Sequence, residues 1–391
     1  MTRRSTRVCV VRHGYFPDDP RVRREVGALL DAGHEVDVVC LRAEGEGRTG
    51  AWRSARIHRL PVRHERRGVA RYLFEYSSFF LLAFAKVTSL HLRRRYRLVQ
   101  VHTLPDALVF VALVPKLSGA KVLLDMHELM PEFAAVKFGA RGPLLVRAIT
   151  RAERWSARFA DVVVGVSPLQ ASILERRIGK TCHVVPNVPD EQLLSHAPAA
   201  PRAEPVPLLV THGTLTEGYG VQTLVEALPL VRAEVDARAL IVGDGEYLGE
   251  LRRQADLLGV RDAVEFTGRV PFTDVAGHLA RARVGVVTLL RDGYMELLVP
   301  NKLFEYVALG LPVVAADLPG IRSYFGDDEV VYFEPGDPHD LAEKVVALLT
   351  DEQLRADVVA RSRRVYDEVG WERSAEVYLR LVDGLVGTGA T

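Results

Sequence analysis

Cysteine is scarce in this chain: Cys9, Cys40 and Cys182 are the three in 391 residues. They lie far apart in apolar surroundings, which excludes a disulfide framework and a thiolate metal site and suits reduced core residues. The histidines are spread singly, without ligand spacing, so no structural metal is expected. Long hydrophobic runs are missing as well, since no apolar stretch reaches the roughly 18 residues of a membrane-crossing helix. The arginine-rich start is not followed by the apolar segment of a secretion signal, so a cytoplasmic protein is expected. No internal sequence repeat is present, which argues against a solenoid.

What is present is enough length, with 48% hydrophobic residues, for two ordinary cores. The net charge of +1 conceals two opposite halves. Residues 1–196 carry 32 Lys/Arg against 19 Asp/Glu, a net of +13, while residues 197–391 carry 19 against 31, a net of −12. Between them the Pro/Ala stretch 197–207 reads as a linker. The organisation expected is a first domain over 1–196, the linker, a second domain over 208–370 and a terminal helix over 371–391. Opposite charges suit two domains that close on each other across a cleft. The bland alternative is that arginines fill solvated faces. No nucleic-acid partner is expected.

Both halves alternate short buried strands with helices. Arg7–Val11, Val36–Cys40, Val99–His102, Lys121–Leu124 and Val162–Val166 read as strands in the first half. Leu208–Thr211, Ala239–Val242, Val264–Phe266, Val284–Leu289, Pro312–Ala315 and Val330–Tyr332 read as strands in the second. The first helix places Val22, Val26, Leu29 and Leu30 inward and ends at Gly33. The fold class expected is α/β, with two doubly wound, Rossmann-like parallel-sheet domains.

The run from Pro300 to Val314 is the most telling segment. It reads as a short helix entering a buried strand, with Pro300 at the first helical position and Gly310 at the exit. The free amides of Asn301 and Lys302 open that helix, and Glu305 shares a face with Lys302. Such an arrangement suits an anion at the helix start and a hydroxylated group one turn on, as a nucleoside diphosphate and its ribose would supply. The bland reading of Lys302 and Glu305 is a surface ion pair, contributing under about 1 kcal/mol.

Here the chain resembles the retaining glycosyltransferases of family 4, which have the two-domain GT-B fold. In that family an acidic residue opens this stretch, a second Glu follows eight positions later, and an Ala-x-Gly-x-Pro-Val-Val strand comes next. Glu305 takes the place of the second Glu, which holds the donor ribose. The first would fall on Leu297, so any sugar contact by Glu296, one place earlier, needs a slipped register. The resemblance implies a nucleoside-diphosphate sugar as donor substrate and no metal or other cofactor. It also implies a terminal helix that crosses back to the first domain.

Further candidates lie at strand ends, where ligands bind in such sheets. Gly14, in the loop Arg12-His13-Gly14-Tyr15-Phe16-Pro17, allows close backbone approach, and the resemblance places this loop under the donor diphosphate. Arg12, Arg21 and Glu128 are the candidates for the acceptor side. The segment Asp125-Met126-His127-Glu128-Leu129-Met130-Pro131-Glu132 resembles the family's Asp-x-His-Glu-x-x-Pro-Glu, in which the His points at the reaction centre. His127 and Lys302 are therefore the catalytic candidates, with Asp125, Glu128 and Glu132 orienting the His or fixing the loop. The resemblance also places Gly213, Thr214, Asp244, Arg269 and Val270 on the donor, Val270 through its main chain on the base. Asn187 matches a family position too, although a turn-forming Asn is a sufficient reading.

One departure stands out in His212-Gly213-Thr214-Leu215-Thr216-Glu217-Gly218-Tyr219-Gly220. The family has Arg after the first Gly and Lys before the last; this chain has Thr214 and Tyr219. Lys302, with Arg291, Arg269 or Arg12, would have to take over the diphosphate charge. The function expected is sugar transfer with retention to a lipid-linked glycan, a polysaccharide or a small natural product. A non-catalytic nucleotide-sugar-binding relative and a sugar-nucleotide epimerase of the same fold are the alternatives. Finally, the aromatic segment Tyr72–Phe84 lies between Arg63, Arg66, Arg67 and Arg71 on one side and Arg93, Arg94 and Arg95 on the other. It is either a peripheral contact with the inner face of an anionic membrane or a core helix, apolar nearly all round.

Overall fold

The computed structural model describes residues 5–62, 69–139, 142–189 and 204–387. Among them the chain divides into two compact units, residues 1–186 with 374–391, and residues 187–373. The division falls between Pro186 and Asn187, ahead of the Pro/Ala stretch, most of which lies outside the described residues.

The first unit is built on an eight-stranded sheet. Its strands are β1 (Arg7–Arg12), β2 (Glu35–Leu41), β3 (Thr49–Trp52), β4 (Ala55–Leu60), β5 (Leu98–His102), β6 (Lys121–Asp125), β7 (Val162–Gly165) and β8 (Cys182–Val184). The order is β3-β4-β2-β1-β5-β6-β7-β8, parallel except for β3 against β4. The apolar runs in β1, β2, β5 and β6, interrupted by Asp37 in β2 and Gln100 in β5, follow from burial on both faces. The second unit has β9 (Leu208–His212), β10 (Arg238–Val242), β11 (Val264–Gly268), β12 (Val284–Val287), β13 (Val313–Ala316) and β14 (Val331–Phe333). Its all-parallel order β11-β10-β9-β12-β13-β14 is that of a doubly wound nucleotide-binding sheet. In each sheet the order reverses beside the unit's first strand, between β1 and β5 and between β9 and β12, so ligand sites are expected beyond His102, Arg12 and His212.

Three strands escape the sequence reading. β3 and β4 form a polar edge hairpin whose sequences lack a buried run, and β8 is three residues long at the other edge. β12 stops at Val287 rather than Leu289 because Thr288 leaves the sheet, its Oγ1 donating to the Tyr219 carbonyl at 2.8 Å. Pro312 stays outside β13, having no N–H for the ladder. Pro300 is extended (φ −71°, ψ 137°) and precedes the helix Asn301–Ala308 instead of opening it. Leu30 is half-buried, unlike Val22, Val26 and Leu29.

The helix Val69–Arg94 is buried on one side only. Phe79, Ala83 and Val87 are buried, whereas Phe74, Leu81 and Leu92 are exposed. Arg94 turns inward to Asp37 at 2.6 Å and Glu35 at 2.8 Å, so the arginine triplet is not a free cationic patch. Arg63, Arg66 and Arg67 lie outside the described residues. The helix Trp371–Val386 begins in the second unit and belongs to the first from Ser374 onward.

Candidate functional site

In the first unit the site starts from helix Pro20–Asp31, which Asp19 caps by accepting from the amides of Arg21 and Val22. That cap sets Arg21 under the carboxyl ends of β5 and β6. Arg21 is 2% exposed. Its Nε and Nη2 each donate at 2.8 Å to the two oxygens of Asp125, and its Nη1 donates to the Val185 carbonyl at 2.8 Å. A guanidinium so spent is an internal strut, which corrects the expectation that Arg21 faces an acceptor. Arg12 is also engaged, with Asp19 at 2.9 Å and the Thr103 carbonyl. Gly14 has ordinary backbone angles; a Cβ there would meet Arg12 at 3.3 Å, so room beside that side chain is what it supplies. Glu128 is half-buried, and Glu132 pairs with Arg177, which fixes the start of helix Met130–Phe138.

Asp125 gathers two histidines. Its Oδ2 lies 2.9 Å from His102 Nδ1 and 3.2 Å from His127 Nε2, and the two imidazoles approach at 3.1 Å. The main-chain N–H of His127 donates to Thr103 Oγ1 at 3.0 Å. Burial pushes Asp125 up, but Arg21 and the imidazoles hold it well below the usual carboxylate range. Burial lowers His127 to about 4 despite Asp125, so its ring is neutral at physiological pH. A carboxylate at Nε2 favours the proton there and leaves Nδ1 as the ring's acceptor.

The network continues inward. Gln100 Nε2 donates to Glu25 at 2.5 Å and meets His102 Nε2 at 3.1 Å, while its Oε1 accepts from the Tyr378 hydroxyl at 2.5 Å. Burial, then the Asp125 charge, pushes Glu25 up. His102, Asp125 and His127 could by their atoms surround a metal ion. Arg21 already chelates both Asp125 oxygens, so a divalent ion would face a fixed cation at close range; shared protons suit the cluster better.

In the second unit, Lys302 and Glu305 are 7% and 8% exposed, so a surface ion pair does not describe them. Lys302 Nζ lies 3.3 Å from Thr211 Oγ1 and 5.4 Å from the Tyr219 ring centroid. Tyr219 is thus an aromatic platform for Lys302. Burial lowers the Lys302 ammonium to about 8 despite Glu305. Glu305 Oε2 sits 2.6 Å from His212 Nε2, and His212 Nδ1 is 3.0 Å from the Tyr306 hydroxyl. Pro300 gives the helix start no side-chain cap, and Asn301 is exposed there.

Gly213 (φ 119°) and Gly243 (φ 142°) fold the two strand-end loops together, and a Cβ on Gly243 would lie 2.0 Å from the Gly213 carbonyl oxygen. Leu215 N–H donates to the Asp244 carbonyl at 3.0 Å. Thr214, Asp244 and Arg269 are exposed at these strand ends, Val270 packs against the core, and Glu296 is half-buried in the turn Met295–Leu297. Arg291, a candidate replacement cation, pairs with Glu334 at 3.0 Å.

The residues the sequence reading missed are His102, Gln100, Glu25, Tyr378, Thr211, His212 and Tyr306. Only the strand-end positions of His102 and His212 carried a signal; the others became partners through strand order and helix return.

Each unit matches a known family model. Residues 19–188 match the model described as "Glycosyl transferase 4-like domain" and residues 206–351 that described as "Glycosyl transferases group 1". Over 187 residues the chain is 33% identical to the GDP-mannose-dependent alpha-(1-6)-phosphatidylinositol monomannoside mannosyltransferase of Mycobacterium tuberculosis, covering 47% of this chain and 48% of that one. The chain spans about half the length of the curated relatives it matches. Sucrose-phosphate synthase of Thermosynechococcus elongatus superposes with a TM-score of 0.76 at 20% identity, covering 98% of this chain and 100% of that one. Anabaena HepE, in complex with UDP, gives 0.70 at 15% identity, covering 97% and 100%. The fold is GT-B.

Proposed function

We propose that this pair of glycosyltransferase domains moves a sugar from a nucleoside-diphosphate donor to an acceptor with retention at the anomeric carbon. The observation that carries the reading is the buried Lys302 at a helix start without a side-chain cap, with the Glu305–His212 pair one turn further on. The cation and the first-turn amides would take the diphosphate, and the Glu305 oxygen not held by His212 would accept from a ribose hydroxyl. Charge developing on the leaving diphosphate is the chief electrostatic demand, and Lys302 meets it without a divalent ion. The bond from the anomeric carbon to phosphate oxygen breaks, the acceptor oxygen bonds on the same face, and the acceptor proton passes to the leaving phosphate. Neutral His127, held by Asp125 and His102, offers Nδ1 to a sugar hydroxyl.

The relative's GDP-mannose and the neighbour's UDP make GDP-mannose and UDP-glucose the first donors to test. The acceptor would be a lipid-linked glycan, a polysaccharide or a small natural product, reached from the cytoplasmic face of a membrane in the first case. Thr214 and Tyr219 in place of the family's cations favour a second reading, a donor-binding protein without turnover. The test is nucleotide release and product mass spectrometry over a panel of nucleotide sugars with lipid and soluble acceptors. Donor-dependent release supports transfer. Tight binding without release to any acceptor or water supports the second reading, and no binding overturns both.

A further inference from the structure

Of the twelve large hydrophobic side chains exposed among the described residues, ten lie on the first unit. They concentrate on its helices, and the arrangement is most ordered on helix Pro143–Phe159. Its outward stripe reads Leu144, Arg147, Ala148, Arg151, Arg154, Trp155 and Arg158, all exposed and spaced by three or four residues. Leu144 is 79% and Trp155 63% exposed. The stripe holds no acidic residue, because the helix's one carboxylate, Glu153, faces inward and binds Arg177 at 2.9 Å. Burying Glu153 leaves four arginines around an exposed Trp and Leu, which is the composition of a helix lying in a bilayer interface. The helix Val69–Arg94, with Phe74, Leu81 and Leu92 exposed, packs against the same segment, Asp106–Ala112, as helix Pro143–Phe159 does.

We infer that helix Pro143–Phe159 is the primary contact of the first unit with an anionic phospholipid surface. This goes beyond the proposed reaction and rests on no step of it. The occupant follows from charge. A second copy seated on this stripe by a two-fold axis would set four arginines against four, whereas anionic headgroups pair with all of them while Leu144 and Trp155 enter the acyl boundary. The site differs from that expected at Tyr72–Phe84, where the aromatic Phe79 is committed to the core.

The test is flotation of the full chain with phosphatidylcholine vesicles, with and without phosphatidylglycerol, at low and physiological salt. Trp155 fluorescence, in a Trp52→Phe, Trp371→Phe background, is read with brominated lipids. Flotation with the anionic vesicles, weakened by salt, and quenching of Trp155 are expected. Each arginine replaced by Gln at 147, 151, 154 and 158 should cost about fivefold in partitioning. Leu144→Ala with Trp155→Ala should cost at least about tenfold, and Leu81→Ala much less. These side chains are exposed, so circular dichroism and donor binding should stay unchanged and separate this result from any failure of the enzymatic reading. The inference is overturned if the chain stays unbound to anionic vesicles, or floats equally after the four Gln replacements. It is also overturned if Trp155 is protected only by concentration-dependent dimerisation, or if nucleic acid binds the stripe while vesicles do not.

Discussion

Lys302 offers the sharpest test, because the same side chain should cost stability and supply function. Its ammonium is lowered from 10.5 to about 8 by burial, an imbalance of about 3 kcal/mol against the charged form at pH 7. Lys302→Met keeps the length and removes the charge. The lost contact to Thr211 at 3.3 Å is long, and the one to the Tyr219 ring, away from water, contributes about 2 kcal/mol, so a net stabilisation of about 1 kcal/mol is expected. Glu305 keeps His212 at 2.6 Å and is not orphaned. The assay is guanidinium unfolding followed by Trp371, which packs on the second core, in a Trp52→Phe, Trp155→Phe background. The sign is checked by pH. Between about 8 and 10.5 the unfolded chain holds a proton that the folded one has released, so the parent gains stability as pH rises and the gap to the variant closes. At pH 7 the variant should lose donor binding by about a hundredfold. A variant less stable than the parent at pH 7, or a gap independent of pH, would refute a buried, strained cation at this position.

Glu305→Gln should leave the unit folded and raise the donor KM about tenfold or more, from charge-assisted bonds to ribose of about 1.5–3 kcal/mol; an unchanged KM removes it from the site. Donor affinity should fall as pH rises through about 8, where free Lys302 gives up its proton, and titration calorimetry at constant ionic strength shows whether it does. His127→Ala should lower kcat while melting is little changed, and the parent's rate should show no limb near pH 6.5, since the ring stays neutral down to about 4. Asp125→Ala, by contrast, leaves Arg21 buried with Glu25, 3.3 Å away, as its remaining carboxylate and should cost about 3 kcal/mol, read as a lowered Tm; a variant as stable as the parent would show that Glu25 alone balances Arg21.

The core strands were legible because burial on both faces leaves a mark that needs no partner to be read: Val8 to Val11 is apolar without a break, and Val36 to Cys40 is apolar but for Asp37. The edge strands β3 and β8 carry no such mark, since an edge pairs on one side and faces water, and β4, paired with both β3 and β2, alternates buried and polar positions. At the candidate site, His127, Lys302 and Glu305 were named because each follows a strand or opens a helix in a recognisable pattern. Arg21 was misread for a physical reason. An arginine in the first turn of an amphipathic helix is ordinarily solvated, and nothing local announces that Asp125, 104 residues away, will chelate it.

Two α/β units of opposite charge, their strand runs, the punctuation by Gly and Pro, and the types of residue at the strand ends can all be read along the chain. Those are local or compositional properties, set by backbone conformation and by the burial each segment requires. Which of these residues share a charge environment depends on how the segments pack. Strand order put β5 beside β1 and β6, which joined His102, Asp125 and Arg21, and the return of the last helix put Tyr378 on Gln100. Packing also turned Lys302 into a buried cation on Tyr219 and Glu153 into an internal partner of Arg177, leaving a basic, apolar stripe outside. Burial and long-range pairing set protonation and exposure, and neither is a property of any segment taken alone.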